Sequence, residues 1–194
     1  NNGVDTSKFL PSDNKSIENI KKKYGISSQK KIILGVASVW DNRKNPGTIF
    51  KLAQKLPEYT FVMDGTCSLP NEKIDNLIII PRTENISEMS AIYSAASVLL
   101  NLSSEDNFPL VSLESLSCGT PVISSNLCGS PEAVCNDTGI IVDPYDIGEI
   151  IKAIAIFTSD DQSEVISNKC RNRAVTLYDC SVMTDKYLQL LFAD

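Results

Sequence analysis

Residues 103–132 read S-S-E-D-N-F-P-L-V-S-L-E-S-L-S-C-G-T-P-V-I-S-S-N-L-C-G-S-P-E, and the residue period changes inside them. An apolar segment from Ala95 to Leu100 precedes the stretch, and its Val98-Leu99-Leu100 end reads as a buried strand. Polar residues follow, then Phe108-Pro109, and from Leu110 the apolar positions Leu110, Leu113 and Leu116 recur at helical spacing. Pro109 stands at or near the first helical turn, where its missing N–H costs nothing. Gly119 closes the helix as a C-terminal cap, and Pro121-Val122-Ile123 opens another strand. The order is strand, polar loop, short helix, strand. In an open parallel sheet such loops gather at the carboxyl ends of the strands, where ligands bind.

Two carboxylates frame this loop. Asp106 precedes the helix and Glu114 lies on it, with seven residues between them. A helix start offers unpaired N–H groups and a partial positive charge, which suit a phosphate. A carboxylate beside it is better placed to accept hydrogen bonds from hydroxyls. The ligand implied carries both phosphate and hydroxyls, as a nucleotide sugar does. The ordinary reading stands beside this one: Asp106 as a helix cap and Glu114 as a solvated helix residue.

Composition narrows the classes. Apolar residues at 42% and charged residues at 22% fit a globular domain, and 194 residues suffice for one. A net charge of −6 argues against nucleic acid as the main partner, since binding a phosphate backbone requires a basic surface. The absence of histidine removes Ser-His-Asp and Cys-His catalysis. The six cysteines form no C-x-x-C pair, and their scatter fits buried thiols in a reducing cytoplasm. Cys118 is expected in the core. No D-x-D triplet is present to carry a nucleotide-bound cation, so no metal site is expected.

Elsewhere the chain alternates strands and helices. A basic helix from Ser16 to Tyr24 stops at Gly25, and Ile32 to Ala37 is a continuous apolar run typical of a parallel strand buried on both faces. Its loop carries Trp40 and the basic pair Arg43-Lys44 ahead of a helix from Pro46 or Gly47 to Leu56. Arginine supplies a fork for phosphate oxygens and lysine a mobile charge, although a basic pair in a loop is also simply solvated. Strands follow at Tyr59 to Met63, ending in Asp64-Gly65-Thr66, and at Leu77 to Ile80, ending in Pro81-Arg82-Thr83-Glu84. Arg82 is a further cleft candidate. A helix period runs from Ile86 to Ala96, Ser130-Pro131-Glu132 reads as a capped helix start, and Gly139 to Val142 is a last strand. Helices at about Ile147 to Thr158, Asp161 to Leu177 and Val182 to Phe192 finish the chain. The fold class predicted is α/β, a doubly wound Rossmann-like parallel sheet with helices on both faces.

With these residues in view, the chain resembles the C-terminal, donor-binding domain of a family 4 retaining glycosyltransferase, one half of a GT-B fold. Asn2-Gly3-Val4-Asp5 with Phe9 and Pro11 resembles that family's interdomain crossover, which sets residues 1–12 apart from a nucleotide-sugar-binding domain at 13–194. Gly35 with Arg43-Lys44, Ser103 through Glu114, Cys118 to Ile123, Gly129 to Glu132 and Gly139 to Pro144 match further segments in order. The resemblance implies that Glu114 accepts hydrogen bonds from the nucleotide ribose and that Asp106 lies near the donor sugar. Arg43 and Lys44 would neutralise the diphosphate, with the backbone around Asn107, Phe108, Pro109 and Leu110 adding N–H groups. Arg82 and Thr83 would pass near the base. In the family pattern the first carboxylate is usually Glu, and Glu105 competes with Asp106 for that role.

The function implied is transfer of a sugar from a UDP- or GDP-linked donor to a glycan or lipid-linked acceptor, without a cofactor. The acceptor would be bound by an N-terminal half that this chain lacks. The chain alone is then expected to bind nucleotide weakly and to transfer nothing. The implied setting is the cytoplasm, with peripheral contact at the inner face of the membrane left open. Two alternatives stand: a GT-B nucleotide-sugar epimerase, and a nucleotide-binding module without chemistry.

Overall fold

The computed structural model describes residues 2–68, 73–83, 85–159 and 163–192. Of the positions named above, Glu84 and Asp161 lie outside the described residues. The strands are β1 (Ile32–Val39), β2 (Thr60–Thr66), β3 (Leu77–Ile80), β4 (Val98–Asn101), β5 (Val122–Ser125) and β6 (Gly139–Val142). They form one sheet in the order β3-β2-β1-β4-β5-β6, and every pairing is parallel. This is the doubly wound order, in which the chain runs outward from β1 on one side and then from β4 on the other.

Both sheet faces are buried, which is why the strands read as unbroken apolar runs. Leu34, Val62, Leu99 and Val122 point to a layer shared with Tyr93, Leu113 and Ala174. That layer belongs to α1 (Asn14–Tyr24), α3 (Ile86–Ala95), α4 (Leu110–Ser117) and α6 (Ser163–Tyr178). Ile33, Phe61, Met63, Leu100 and Ile123 face the opposite way, against Ile49 and Leu52 of α2 (Pro46–Lys55) and Ile150 and Ile154 of α5 (Ile147–Thr158). The last helix among the described residues is α7 (Cys180–Leu191). No helix among the described residues is long and apolar enough to cross a membrane.

Local chemistry sets the boundaries. The αL residue Gly25 stops α1 as its sequence suggests, and the helix begins at Asn14, two residues before the expected Ser16, with Asp13 capping it through the Ser16 N–H. Gly119 takes φ +82° after α4, and its N–H reaches the Leu116 carbonyl. One expectation fails. Ser130-Pro131-Glu132 forms a single 3-10 turn, Ser130–Ala133, with Gly129 before it and no side-chain cap. Ser130 Oγ is buried with no hydrogen-bond partner among the described residues, so it does not serve as a cap.

Residues 2–12 are tied to the body. Val4 bridges Asp179 in parallel, and its N–H and C=O pair with Tyr178 and Cys180. Arg171 on α6 holds the segment most firmly. Its guanidinium donates to the carbonyls of Phe9 (2.8 Å), Thr6 (2.9 Å) and Ser117 (2.9 Å) and to Ser117 Oγ (2.8 Å). Arg171→Ala withdraws a charged donor from three half-buried carbonyls, of which that of Phe9 keeps the Ser117 hydroxyl at 2.7 Å, and is expected to lower stability by about 2–4 kcal/mol. Arg171→Lys should recover only part of that, because an ammonium cannot span the same fork of acceptors. Urea unfolding midpoints of the two variants test this.

Candidate functional site

The centre of the sheet fixes where a site can form. β1 and β4 are neighbours, yet β1 leads into α2 on one face and β4 leads into α4 on the other. Their loops therefore diverge and leave a crevice at the carboxyl edge, at the topological switch point. A cleft of about 500 Å³ lies there, lined by Asn2, Ser38, Val39, Asp41, Arg43, Lys44, Asp106, Phe108, Pro109, Leu110 and Val111. A groove along α7 has the same volume, about 500 Å³, so chemistry rather than size singles out the first.

Two glycines let the walls come this close. Gly65 adopts φ +119°, and a Cβ there would stand 1.7 Å from the Ala37 carbonyl oxygen. The register of β1 on β2 shifts between Val36 and Val39, and Trp40 N–H reaches the Thr66 carbonyl. Trp40 itself turns into the core, its indole N–H donating to the Asp64 carbonyl at 2.9 Å. Gly129 packs under the second loop: a Cβ would stand 1.6 Å from the Asn107 carbonyl, and its N–H donates to the Asp106 carbonyl at 2.9 Å. The Ser104 N–H donates to the Arg43 carbonyl at 2.8 Å and ties the two loops together.

The basic pair is not loose in solvent. Asn42–Lys44 is a 3-10 turn whose N–H groups are capped by Asp41. The Arg43 guanidinium is chelated by Asp41 Oδ2, with Nε at 2.9 Å and Nη2 at 2.6 Å, and its side chain stays 62% exposed. The adjacent carboxylate raises the affinity of Arg43 for its proton, and the guanidinium holds Asp41 below the usual carboxylate range. Lys44 turns the other way, into the cleft. Its ammonium donates to Asp106 Oδ2 at 2.9 Å and to Ser103 Oγ at 3.3 Å. Ser103 donates in turn to Asn101 Oδ1 (2.9 Å), and Asn101 donates to Ser112 Oγ (3.2 Å). Asp106 is thus a partner of Lys44, 62 residues away in sequence, and not the cap of α4. Pro109 occupies the N-cap position and no side chain caps the helix. Glu105 is exposed and influences Arg43, which separates its surroundings from those of Asp106.

The remaining candidates form a second group. Glu114 is half-buried and held rather than free in solvent: its Oε2 accepts the Tyr93 hydroxyl at 2.7 Å, and burial raises its pKa although the tyrosine bond opposes that. Burial, with Glu114 adding to it, pushes the Tyr93 phenol well above its usual value. Arg82 is exposed, and Thr83 Oγ1 accepts the Asn85 N–H at 3.2 Å. Asn107 is exposed on its loop. Arg82, Thr83, Asn107 and Glu114 are not among the residues lining the Lys44 cleft. Phe108 and Pro109 are buried walls, Phe108 packing edge-on against Tyr178 at 5.8 Å, and Leu110 is an exposed rim residue.

Asp64 is the residue that the sequence reading passed over. It lies inside β2, one residue beyond the expected end of the apolar run at Met63, and is 2% exposed. Its Oδ2 has no hydrogen-bond partner among the described residues. Burial pushes the carboxyl up to about 6, with Glu88 and Glu114 adding to the rise, while the Thr83 N–H and the Arg82 charge oppose it. Asp64 therefore links Arg82, Thr83 and Glu114 electrostatically. An acid within an otherwise apolar strand, just before Gly65, was the available signal.

A doubly wound sheet with a charged cleft at its switch point is the architecture of ligand-binding Rossmann-like domains. The chain belongs to the glycosyl transferases group 1 family, whose family model matches residues 16–174. Among curated relatives, the UDP-Gal:alpha-D-GlcNAc-diphosphoundecaprenol alpha-1,3-galactosyltransferase of Escherichia coli is 28% identical over 97% of this chain and 52% of its own length. The N-acetyl-alpha-D-glucosaminyl L-malate synthase of Bacillus anthracis is 24% identical over 87% of this chain and 47% of its own. The chain thus spans about half the length of the curated relatives it matches. Among solved structures, Anabaena Alr3699/HepE in complex with UDP superposes with a TM-score of 0.84 at 16% identity, covering 99% of this chain and 56% of that one. The C-terminal domain of the group 1 glycosyl transferase LpcC from Francisella tularensis superposes with a TM-score of 0.73 at 22% identity, covering 92% of this chain and all of that one (100%). The structural neighbours are GT-B glycosyltransferases, and these likenesses bear on the fold.

Proposed function

We propose that this chain is the C-terminal, nucleotide-sugar-binding domain of a family 4 retaining glycosyltransferase, with residues 2–12 serving as the end of its interdomain crossover. The observation that carries the reading is the meeting of Lys44 and Asp106 across the switch point, a cation for phosphate beside a carboxylate for hydroxyls. The donor is a UDP- or GDP-linked sugar. The UDP-Gal donor and lipid-linked acceptor in the name of the Escherichia coli relative agree with this class.

In this reading Lys44 and Arg43 face the diphosphate, and the uncapped start of α4 adds the N–H groups of Leu110 and Val111. As the sugar–phosphate bond breaks, negative charge accumulates on the departing diphosphate, and preorganised cations stabilise it without a metal or other cofactor. Asp106 accepts hydrogen bonds from the donor sugar. Glu114, already oriented by Tyr93, accepts from the ribose, while Arg82 and Thr83 flank the base. The acceptor, a glycan or a lipid-linked sugar, binds to a second half of the enzyme, which also makes any peripheral contact with the inner face of the membrane. The chain by itself binds nucleotide and transfers nothing.

The ribose contact gives the test. Wild type should bind the preferred ribonucleoside diphosphate about tenfold more tightly than its 3′-deoxy analogue, from one charged hydrogen bond. Glu114→Ala should lose that preference. A variant that still discriminates between the two nucleotides places the ribose elsewhere and refutes the assignment.

A further inference from the structure

The cleft at the switch point is balanced in charge. Arg43 is held by Asp41, and Lys44, the cation turned into the cleft, is held by Asp106 at 2.9 Å with side-chain exposures of only 27% and 19%. An anion arriving at Lys44 must therefore displace a carboxylate that is itself half-buried. Rotation of its side chain is the available retreat, because the backbone is anchored: the Asp106 carbonyl accepts the Gly129 N–H, and the Ser104 N–H, two residues before it, donates to the Arg43 carbonyl. Once displaced, it remains within reach of the anion and repels it unless the ligand brings hydrogen-bond donors of its own.

We infer that Asp106 is a resident counter-ion of Lys44 that makes anion binding conditional on a hydroxyl-bearing group next to the phosphate. Its role as a specificity determinant rests on the donor reading above, but the exchange of Asp106 for an anion at Lys44 does not. The cleft penalises a bare diphosphate and favours the same diphosphate carrying a sugar, whose hydroxyls satisfy the released carboxylate. For a transferase this has a direct use. The product nucleoside diphosphate is held less tightly than the donor, so it leaves once the sugar has gone.

The test is calorimetric titration of this chain and of Asp106→Asn, at low ionic strength, with inorganic pyrophosphate, with UDP and UDP-glucose, and with GDP and GDP-mannose. The amide keeps the loop's backbone bonds but carries no charge. Pyrophosphate should bind Asp106→Asn about five- to tenfold more tightly than wild type, the scale of one close like-charge contact plus one partly exposed ion pair. The gain should vanish in Asp106→Asn/Lys44→Met. The preference for the nucleotide sugar over its nucleoside diphosphate should shrink in Asp106→Asn. Unchanged or weaker pyrophosphate binding in Asp106→Asn, or no pyrophosphate binding by either protein, overturns the inference. Asp106→Ser is titrated as well, so that misfolding of one variant does not decide the result. A pyrophosphate gain with no nucleotide binding upholds the exchange and rejects the donor reading. Nucleotide binding without the pyrophosphate gain rejects the exchange and leaves the donor reading standing.

Discussion

Lys44→Ala should weaken nucleoside diphosphate binding about ten- to a hundredfold, the largest loss expected from any single change in the cleft. A charge-assisted hydrogen bond to phosphate is worth roughly 1.5–3 kcal/mol, and each 1.4 kcal/mol is about tenfold in affinity. The substitution also strands Asp106, whose carboxylate then faces the anion without its cation. Arg43→Ala should cost less, because that guanidinium is mostly exposed and already committed to Asp41. The order of the two effects is the informative part. Equal losses, or a larger loss at Arg43, would mean that the phosphate sits on the Arg43 side of the cleft rather than at the Lys44–Asp106 pair.

Asp64→Asn should stabilise the protein at neutral pH, against the general tendency of mutations. Asp64 is buried with Oδ2 unpartnered among the described residues, and its carboxyl is pushed from 3.8 to about 6 by burial, then by Glu88 and Glu114, with Arg82 and the Thr83 N–H opposing. The sign follows from proton counting. Between these two values the folded protein holds a proton that the unfolded chain has already released, so stability falls as pH rises through the window. The contribution is intact below about pH 4 and lost above about pH 6. At pH 7 the ionised carboxyl costs on the order of 3 kcal/mol, taking 1.36 kcal/mol for each pH unit of displacement. The amide carries no charge to bury, so unfolding in urea should show Asp64→Asn more stable than wild type by about 1–3 kcal/mol at pH 7. The difference should fade towards pH 4. A difference independent of pH, or a variant less stable at pH 7, would mean that Asp64 is ionised and paired in the native state. A residue that makes the fold less stable at working pH is a candidate for ligand service, because sites commonly carry such strain.

The sequence carried the sheet well, for a physical reason. Parallel strands buried on both faces appear as apolar runs, and β1, β3, β4 and β6 fall where Ile32-Ile33-Leu34, Leu77 to Ile80, Val98-Leu99-Leu100 and Gly139 to Val142 put them. Helix ends were legible where glycine was obligatory, as at Gly25 and Gly119. The error at Ser130 has a cause too. Serine followed by proline has the pattern of a capped helix, but the Gly129 backbone lies directly under Asn107 and the segment closes after one turn.

The candidate site was legible as a set of loops and illegible as a set of partners. Arg43, Lys44 and Asp106 were identifiable because residue type and place at a strand end already suggest phosphate and hydroxyl chemistry. Their pairings were hidden, since the choice of Asp41 for Arg43 and Asp106 for Lys44 depends on how two loops cross. The same holds for Tyr93, a helix residue in an apolar period whose hydroxyl emerges beside Glu114. Asp64 was masked by its setting, for an acid at a strand end reads as the beginning of a turn, and only burial distinguishes it.

The central claim is that the ligand binds at the switch point between β1 and β4. The most direct measurement is the amide ¹H–¹⁵N spectrum of this chain, titrated separately with UDP, GDP and ADP. Shift changes confined to residues 38–45, 81–83 and 103–114, and produced by one nucleotide at lower concentration than by the others, are the predicted result. Changes centred on the groove along α7, or on the opposite edge of the sheet around Ser94 to Ser97 and Cys118 to Pro121, would contradict it.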